Sequence, residues 1–228
     1  FPNQDSHSRG RDINGSNSWA VFTTATPGAS NANPQQEYAE TPAFSTQAGY
    51  YPAAINLTLS SSDPSANIYY TTNGDFPDNT SNLYSGPINI TNTTIIKAVA
   101  YSSSSNVPES FIDYHTYFIG ADSHTIPILS ISGDNGQGGL TDLLDGGWGS
   151  TSLEPKGTVE WFDENGVLID KGAGEFNKHG NDSWAYDQRG FDYVMRDQFG
   201  YNYALKDKLF VTKDRDKFQR IILKAAAN

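Results

Sequence analysis

Oxygen donors cluster at two places in the chain. Asp134-Asn135-Gly136, with Asp142 and Asp145 after it, could present carboxylate and carbonyl oxygens to Ca²⁺, a hard cation that takes oxygen ligands. Asp75, Asp78 and Asn79 form a similar group, and neither spacing is that of an EF-hand. His179, inside Asn177-Lys178-His179-Gly180-Asn181-Asp182, has a carboxylate and amides close by that could orient an imidazole, or it is a turn histidine bonded to backbone. The four histidines, His7, His115, His124 and His179, lack the spacing of zinc ligands. Trp148 and Trp184 stand in loop-like surroundings and are candidate exposed rings for ligand binding, as is Trp19, because flat rings stack on sugar faces. Tyr69, Tyr70 and Tyr84 read instead as strand residues packing on cross-strand partners. No pair of carboxylates can be placed across a sugar site as glycoside hydrolysis requires, and no catalytic residue is assigned within the chain.

These residues must be held by β-strands, because the chain has almost no helical pattern. Between 46 and 120 apolar and polar residues alternate: Ile55, Leu57 and Leu59; Ile68 and Tyr70; Ile88 and Ile90; then Ile95, Lys97 and Val99. Asn73-Gly74 is a tight-turn signal, since both residues tolerate positive φ. Short, evenly spaced strands with turns between them predict an all-β sandwich. After 121 the character changes. Ile126–Ile131 reads as an apolar strand entering a Gly/Asp-rich loop, and Gly139–Asp145 is the one helical candidate. Thr158–Phe162 and Val167–Ile169 flank Asp163-Glu164-Asn165-Gly166 as a hairpin; Phe191–Arg196 and Tyr201–Leu205 flank Asp197–Gly200 as a second. The last run, Arg220–Leu223, reads as a buried strand. Residues 1–31 are polar and turn-rich, and 32–45, with Pro34 and Pro42, read as a linker.

Composition narrows the function classes. At 228 residues the chain can bury one large core or two small ones. A formal charge of −11 opposes binding to nucleic acid or to an anionic membrane, both of which need a basic surface. No run is long and apolar enough to insert in a bilayer. With no cysteine there is no disulfide framework, thiolate metal site or cysteine nucleophile. The chain begins at Phe1 and stops inside a strand-like run, so it is expected to be a piece of a longer protein.

The motifs carry three resemblances. The series Ile68-Tyr69-Tyr70-Thr71-Thr72-Asn73-Gly74, Leu83-Tyr84-Ser85-Gly86-Pro87-Ile88 and Ile95-Ile96-Lys97-Ala98-Val99-Ala100 resembles the immunoglobulin-like module appended to chitobiases and β-hexosaminidases. Ser18-Trp19 followed by Thr26-Pro27-Gly28-Ala29-Ser30-Asn31 resembles the end of a bacterial lamin-tail-like domain. Five stretches in order resemble the N-terminal part of the CotH (spore-coat-protein-H-like) kinase family: Ile126–Ile131, Thr158–Gly166, Lys178–Ser183, Arg196–Gly200 and Phe218–Lys224. Together they imply a mainly β fold, with a lamin-tail-like end over 1–31 and a linker over 32–45. They also imply an immunoglobulin-like sandwich over 46–120 and the β-rich N-terminal part of a CotH kinase-like α+β domain over 121–228.

The resemblances imply a segment of a large secreted or surface-attached bacterial protein, Bacteroidetes-like in its module set. It would act as a spacer, adhesion or presentation module without catalysis of its own, with surface proteins, glycans or other domains of its parent chain as partners. The CotH likeness implies an alternative, the front half of a protein serine kinase using ATP and Mg²⁺, with its catalytic carboxylates downstream of Asn228. In that family a lysine contacts the nucleotide phosphates; Arg189, in Asp187-Gln188-Arg189-Gly190, stands at the corresponding place. Arginine is longer and planar, and is not a simple substitute for lysine. A third implied reading is an accessory module of a glycan-processing enzyme.

Overall fold

The computed structural model describes residues 2–13, 15–120, 125–145, 152–180, 189–210 and 212–224. A small hairpin opens the chain, β1 (Ser8–Arg11) pairing antiparallel with β2 (Trp19–Phe22). This hairpin packs on the rest of the chain. Val21 is fully buried against Tyr38 and Phe111, and Val21 bridges Gln35, so the stretch over 32–45 lies on the body of the protein with Tyr38 and Ala39 buried.

The sandwich is built from short strands: β3 (Ala43–Phe44), β4 (Gly49–Tyr51), β5 (Ile55–Leu57), β6 (Leu59–Ser60), β7 (Asn67–Thr71), β8 (Asn82–Leu83), β9 (Ile88–Ile90), β10 (Thr94–Tyr101) and β11 (Asp113–Ile119). One layer is a five-stranded sheet in the order β4-β11-β10-β7-β8, with β4 and β11 parallel. Pairs β3-β6 and β5-β9 supply further sheet. The period-2 alternation sets the inward face: Leu57, Leu59, Ile68, Ile90 and Tyr117 turn inward and share one core with Ile96 and Ala98, so on β10 the expected set Ile95, Lys97 and Val99 lies on the other face.

The second body begins with β12 (Ile128–Gly133) and α1 (Leu140–Asp145). It continues through β13 (Lys156–Phe162), β14 (Leu168–Lys178), β15 (Phe191–Met195), β16 (Leu205–Lys206), β17 (Lys217–Phe218) and β18 (Arg220–Leu223). The main sheet runs β12-β13-β14-β15-β18, antiparallel throughout. Leu140 and Leu143 of α1 cover one of its faces, joining Val159, Phe176, Tyr193 and Met195 in a second core. The fold is mainly β, as the alternation pattern implies.

Three local expectations are corrected. The hairpin at Asp163–Gly166 forms, with Gly166 at φ 77°, but the one expected at Asp197–Gly200 does not. Residues 197–199 form a 3-10 turn that buries Phe199 against Tyr114 and Ala173; β15 therefore pairs with β14 and β18, and Leu205–Lys206 pairs with β17. β18 is an edge strand, not a buried one, and Ile222 is 47% exposed. Asn73-Gly74 turns the chain with Gly74 at φ 91°, yet the next strand starts only at Asn82, after a loop that carries Asp75 and Phe76.

Candidate functional site

The two main sheets meet face to face, and the layer between them is unlike either core. Because side chains alternate along a strand, β10 sends Ile96 and Ala98 into the sandwich core and Lys97 out of the opposite face. On β11, Tyr117 points inward while Thr116 and Phe118 point out. On β13, Val159 enters the second core while Glu160 and Phe162 face back toward the sandwich. The layer thus contains two fully buried charged residues, Lys97 and Glu160, between aromatic rings.

Glu160 is held from the other body. One carboxylate oxygen accepts the Thr116 backbone N–H at 3.0 Å and the other accepts the Thr116 hydroxyl, which also meets the Ser130 hydroxyl at 2.9 Å. Burial nevertheless dominates, pushing the Glu160 carboxyl up to about 7 against the help of those bonds. Beside it, Lys171 of β14 donates to the Asp113 carboxylate and, at 2.8 Å, to the Tyr114 carbonyl, tying β14 to β11. His115, on the sandwich side, stacks on Phe44 and pairs its Nδ1 with the Thr46 carbonyl at 3.1 Å. Burial lowers its imidazole to about 4, so it is neutral at pH 7.

Lys97 is the more unusual group. Its ammonium has no hydrogen-bond partner among the described residues and sits 4.1 Å from the centre of the Phe76 ring, a cation–π contact. Burial lowers it to about 7, opposed by the charges of Asp134, Asp75 and Glu160. Asp134 and Asp75 belong to a reciprocal clasp between the β7–β8 loop and the loop after β12. The Phe76 N–H donates to Asp134 Oδ1 at 2.7 Å, the Asn135 N–H donates to Asp75 Oδ1 at 2.7 Å, and Asn135 Nδ2 donates to the Asn73 carbonyl at 2.8 Å.

This arrangement relocates the sequence candidates. Asp134 and Asp75, read as members of separate oxygen clusters, are brought together, with the Lys97 ammonium as their nearby positive charge. Asp142 instead accepts the Gly138 N–H at 2.9 Å, and Asp145 lines a separate cavity, so the three aspartates Asp134, Asp142 and Asp145 do not converge. Among the described residues no group of three or more His, Asp or Glu side chains is placed to hold a metal ion. Arg189 lines that other cavity, of about 550 Å³, with Asp145, Phe191 and Lys224, and donates to the Leu143 carbonyl at 3.3 Å. His179 lies 3.5 Å from buried Asp192, which also pairs with Arg220. Trp19 is 61% exposed with the Arg11 guanidinium 4.9 Å from its ring centre. Trp148 and Trp184 lie outside the described residues.

Sequence reasoning passed over Lys97, Glu160 and His115. A signal for two of them was present: Lys97 and Glu160 are single charges inside the apolar runs Ile95–Ala100 and Thr158–Phe162, where both strand faces are otherwise apolar or small.

Residues 46–111 match the family model of the chitobiase/beta-hexosaminidase C-terminal domain. The matched segment contains Lys97 and the whole Asn73–Phe76 half of the clasp. No curated protein and no solved structure matches the chain. No described helix is long and apolar enough to cross a membrane.

Proposed function

We propose that this chain is a non-catalytic positioning segment of a secreted or surface-attached bacterial protein, in which the chitobiase C-terminal-like sandwich is a rigid accessory module. The observation that carries this reading is the buried junction. A flexible spacer needs no buried layer and interlocked loops between its units, whereas a module that presents its neighbour at a fixed angle does. The family match supports an accessory role, since such sandwiches are modules of glycosidase-type proteins. The acidic surface, with a net charge of −11, favours proteins or neutral glycans over nucleic acid as partners.

The chain has no cysteine, so spin labels can be placed at two introduced ones alone, Ser60→Cys on the sandwich and Lys208→Cys on the second body, both exposed positions. Pulsed dipolar spectroscopy is expected to give one narrow distance distribution. A broad distribution would overturn the rigid-module reading.

One observation favours a second reading. Arg189 faces a cavity that it shares with Lys224 and the carboxylate of Asp145, a setting in which a nucleotide phosphate could meet two cations. On this reading the second body is the front of a CotH-type kinase lobe, and ATP with Mg²⁺ binds there in the longer parent chain. Calorimetric titration of ATP and Mg²⁺ into that parent, repeated with Arg189→Ala, tests it. Binding abolished by the substitution is the result expected; absence of binding at millimolar ATP removes the reading.

A further inference from the structure

We propose that the junction between the two sheets is a proton-gated latch, with Lys97 of the sandwich and Glu160 of the second body as its two titrating parts. The proposal rests on the rigid-module reading and adds its regulation. Its basis is geometric. Lys97 and Glu160 are fully buried in the layer between the sheets; Glu160 is hydrogen-bonded to the opposite body, and Lys97 lies within the field of Asp134 and Glu160 from it. Among the described residues Glu160 is bonded only to Thr116 of β11, while Lys97 has a ring under it and no acceptor within hydrogen-bonding distance. Separation of the sheets would return both groups to water. The groups facing them are few. Asp134, from the loop after β12, Asp75, from the β7–β8 loop, and Glu160 itself act on Lys97; Lys171 of β14 and Asp113 of β11 act on Glu160.

Closing the latch while either group is charged costs its hydration, and neither has a full ion pair to offset that cost. The direction of the gate comes from proton counting. Docked Lys97 sheds its proton near 7, against 10.5 in water, so between those values the undocked state binds more protons. Docking therefore strengthens as pH rises above 7. Docked Glu160 holds its proton up to about 7, against 4.5 in water, so in that window the docked state binds more protons. Docking therefore strengthens as pH falls below 7. The latch is loosest near neutrality and tightens on both sides, by at most about tenfold per pH unit on each limb.

The reporters are the amides of Phe76 and Asn135, whose hydrogen bonds cross the junction to Asp134 and Asp75. Hydrogen exchange of the full chain, corrected for intrinsic rates, should show their protection lowest near neutral pH and rising in both the acid and the alkaline direction. The Ile96 and Ala98 amides, inside the sandwich sheet, serve as internal reference. In Glu160→Gln, which fixes the neutral shape, the acid limb should flatten; in Lys97→Met the alkaline limb should flatten. Protection of Phe76 and Asn135 that is strong but flat with pH, or limbs unchanged in both variants, would overturn the latch while leaving the rigid module standing. Absence of protection at every pH would overturn both.

Discussion

Phe118 of β11 and Phe162 of β13 meet edge to face across the junction, with ring centroids 5.4 Å apart and planes at 76°. Tyr50 of β4 stacks on Phe118 as well, at 4.5 Å. The rings border the layer that holds Lys97 and Glu160, and each sheet supplies what the other lacks: β13 offers a carboxylate and a ring, and β11 offers a hydroxyl, an amide and a ring. Phe162 is fully buried, so Phe162→Ala should remove about 3–5 kcal/mol of stability, measured by chemical denaturation with two-state fits. A loss under about 1 kcal/mol would mean that the ring is not packed between the sheets.

Gly166 and Tyr50 give a sharper test of the same contact. Gly166 has φ 77°, and a Cβ there would collide with the Tyr50 ring. Gly136 has φ 97° with open space around it. Gly136→Ala therefore reports backbone strain alone, about 1 kcal/mol. Gly166→Ala should cost clearly more, and denaturation midpoints of the two variants compared side by side decide the matter. Equal losses would show that the β13–β14 turn does not rest on Tyr50.

His115 should imprint a pH dependence of its own. Its folded value is about 4, against 6.5 in an unfolded chain, so between these the unfolded state binds more protons. The stability it contributes is complete above pH 6.5 and is lost as pH falls toward 4. Glu160 acts in the opposite sense over much of that range, so the informative quantity is the difference between wild type and His115→Gln. Melting temperatures of the two should converge as pH falls from neutral toward 4. Parallel curves would contradict the burial of a neutral imidazole beside Thr46.

Much of the β architecture was legible in the chain, and the reasons are local. Alternation in Ile55-Asn56-Leu57 and in Ile68–Thr71 names the inward faces of the sandwich, and the Asp163–Gly166 turn carries its own positive φ. What sequence patterns do not carry is which outward face a second sheet covers. Lys97 and Glu160 stand out as single charges in apolar runs, but what covers them is set by the fold: Thr116, which holds Glu160, arrives from 44 residues away. The same limit explains Asp197–Gly200: its turn residues permit a hairpin, but burial of Phe199 against Tyr114 and Ala173 selects the 3-10 turn. Asp75 and Asp134 read as separate oxygen clusters because their pairing spans two bodies, and only the fold brings the two loops together.

The most direct test of the central claim is ¹⁵N relaxation of the whole chain, with rotational correlation times fitted separately for β7, β10 and β11 and for β13, β14 and β15. If the buried junction makes the two bodies one rigid unit, both sets of strands will give the same correlation time and one common diffusion tensor. Two distinct, shorter correlation times would show independently tumbling modules and would contradict the account.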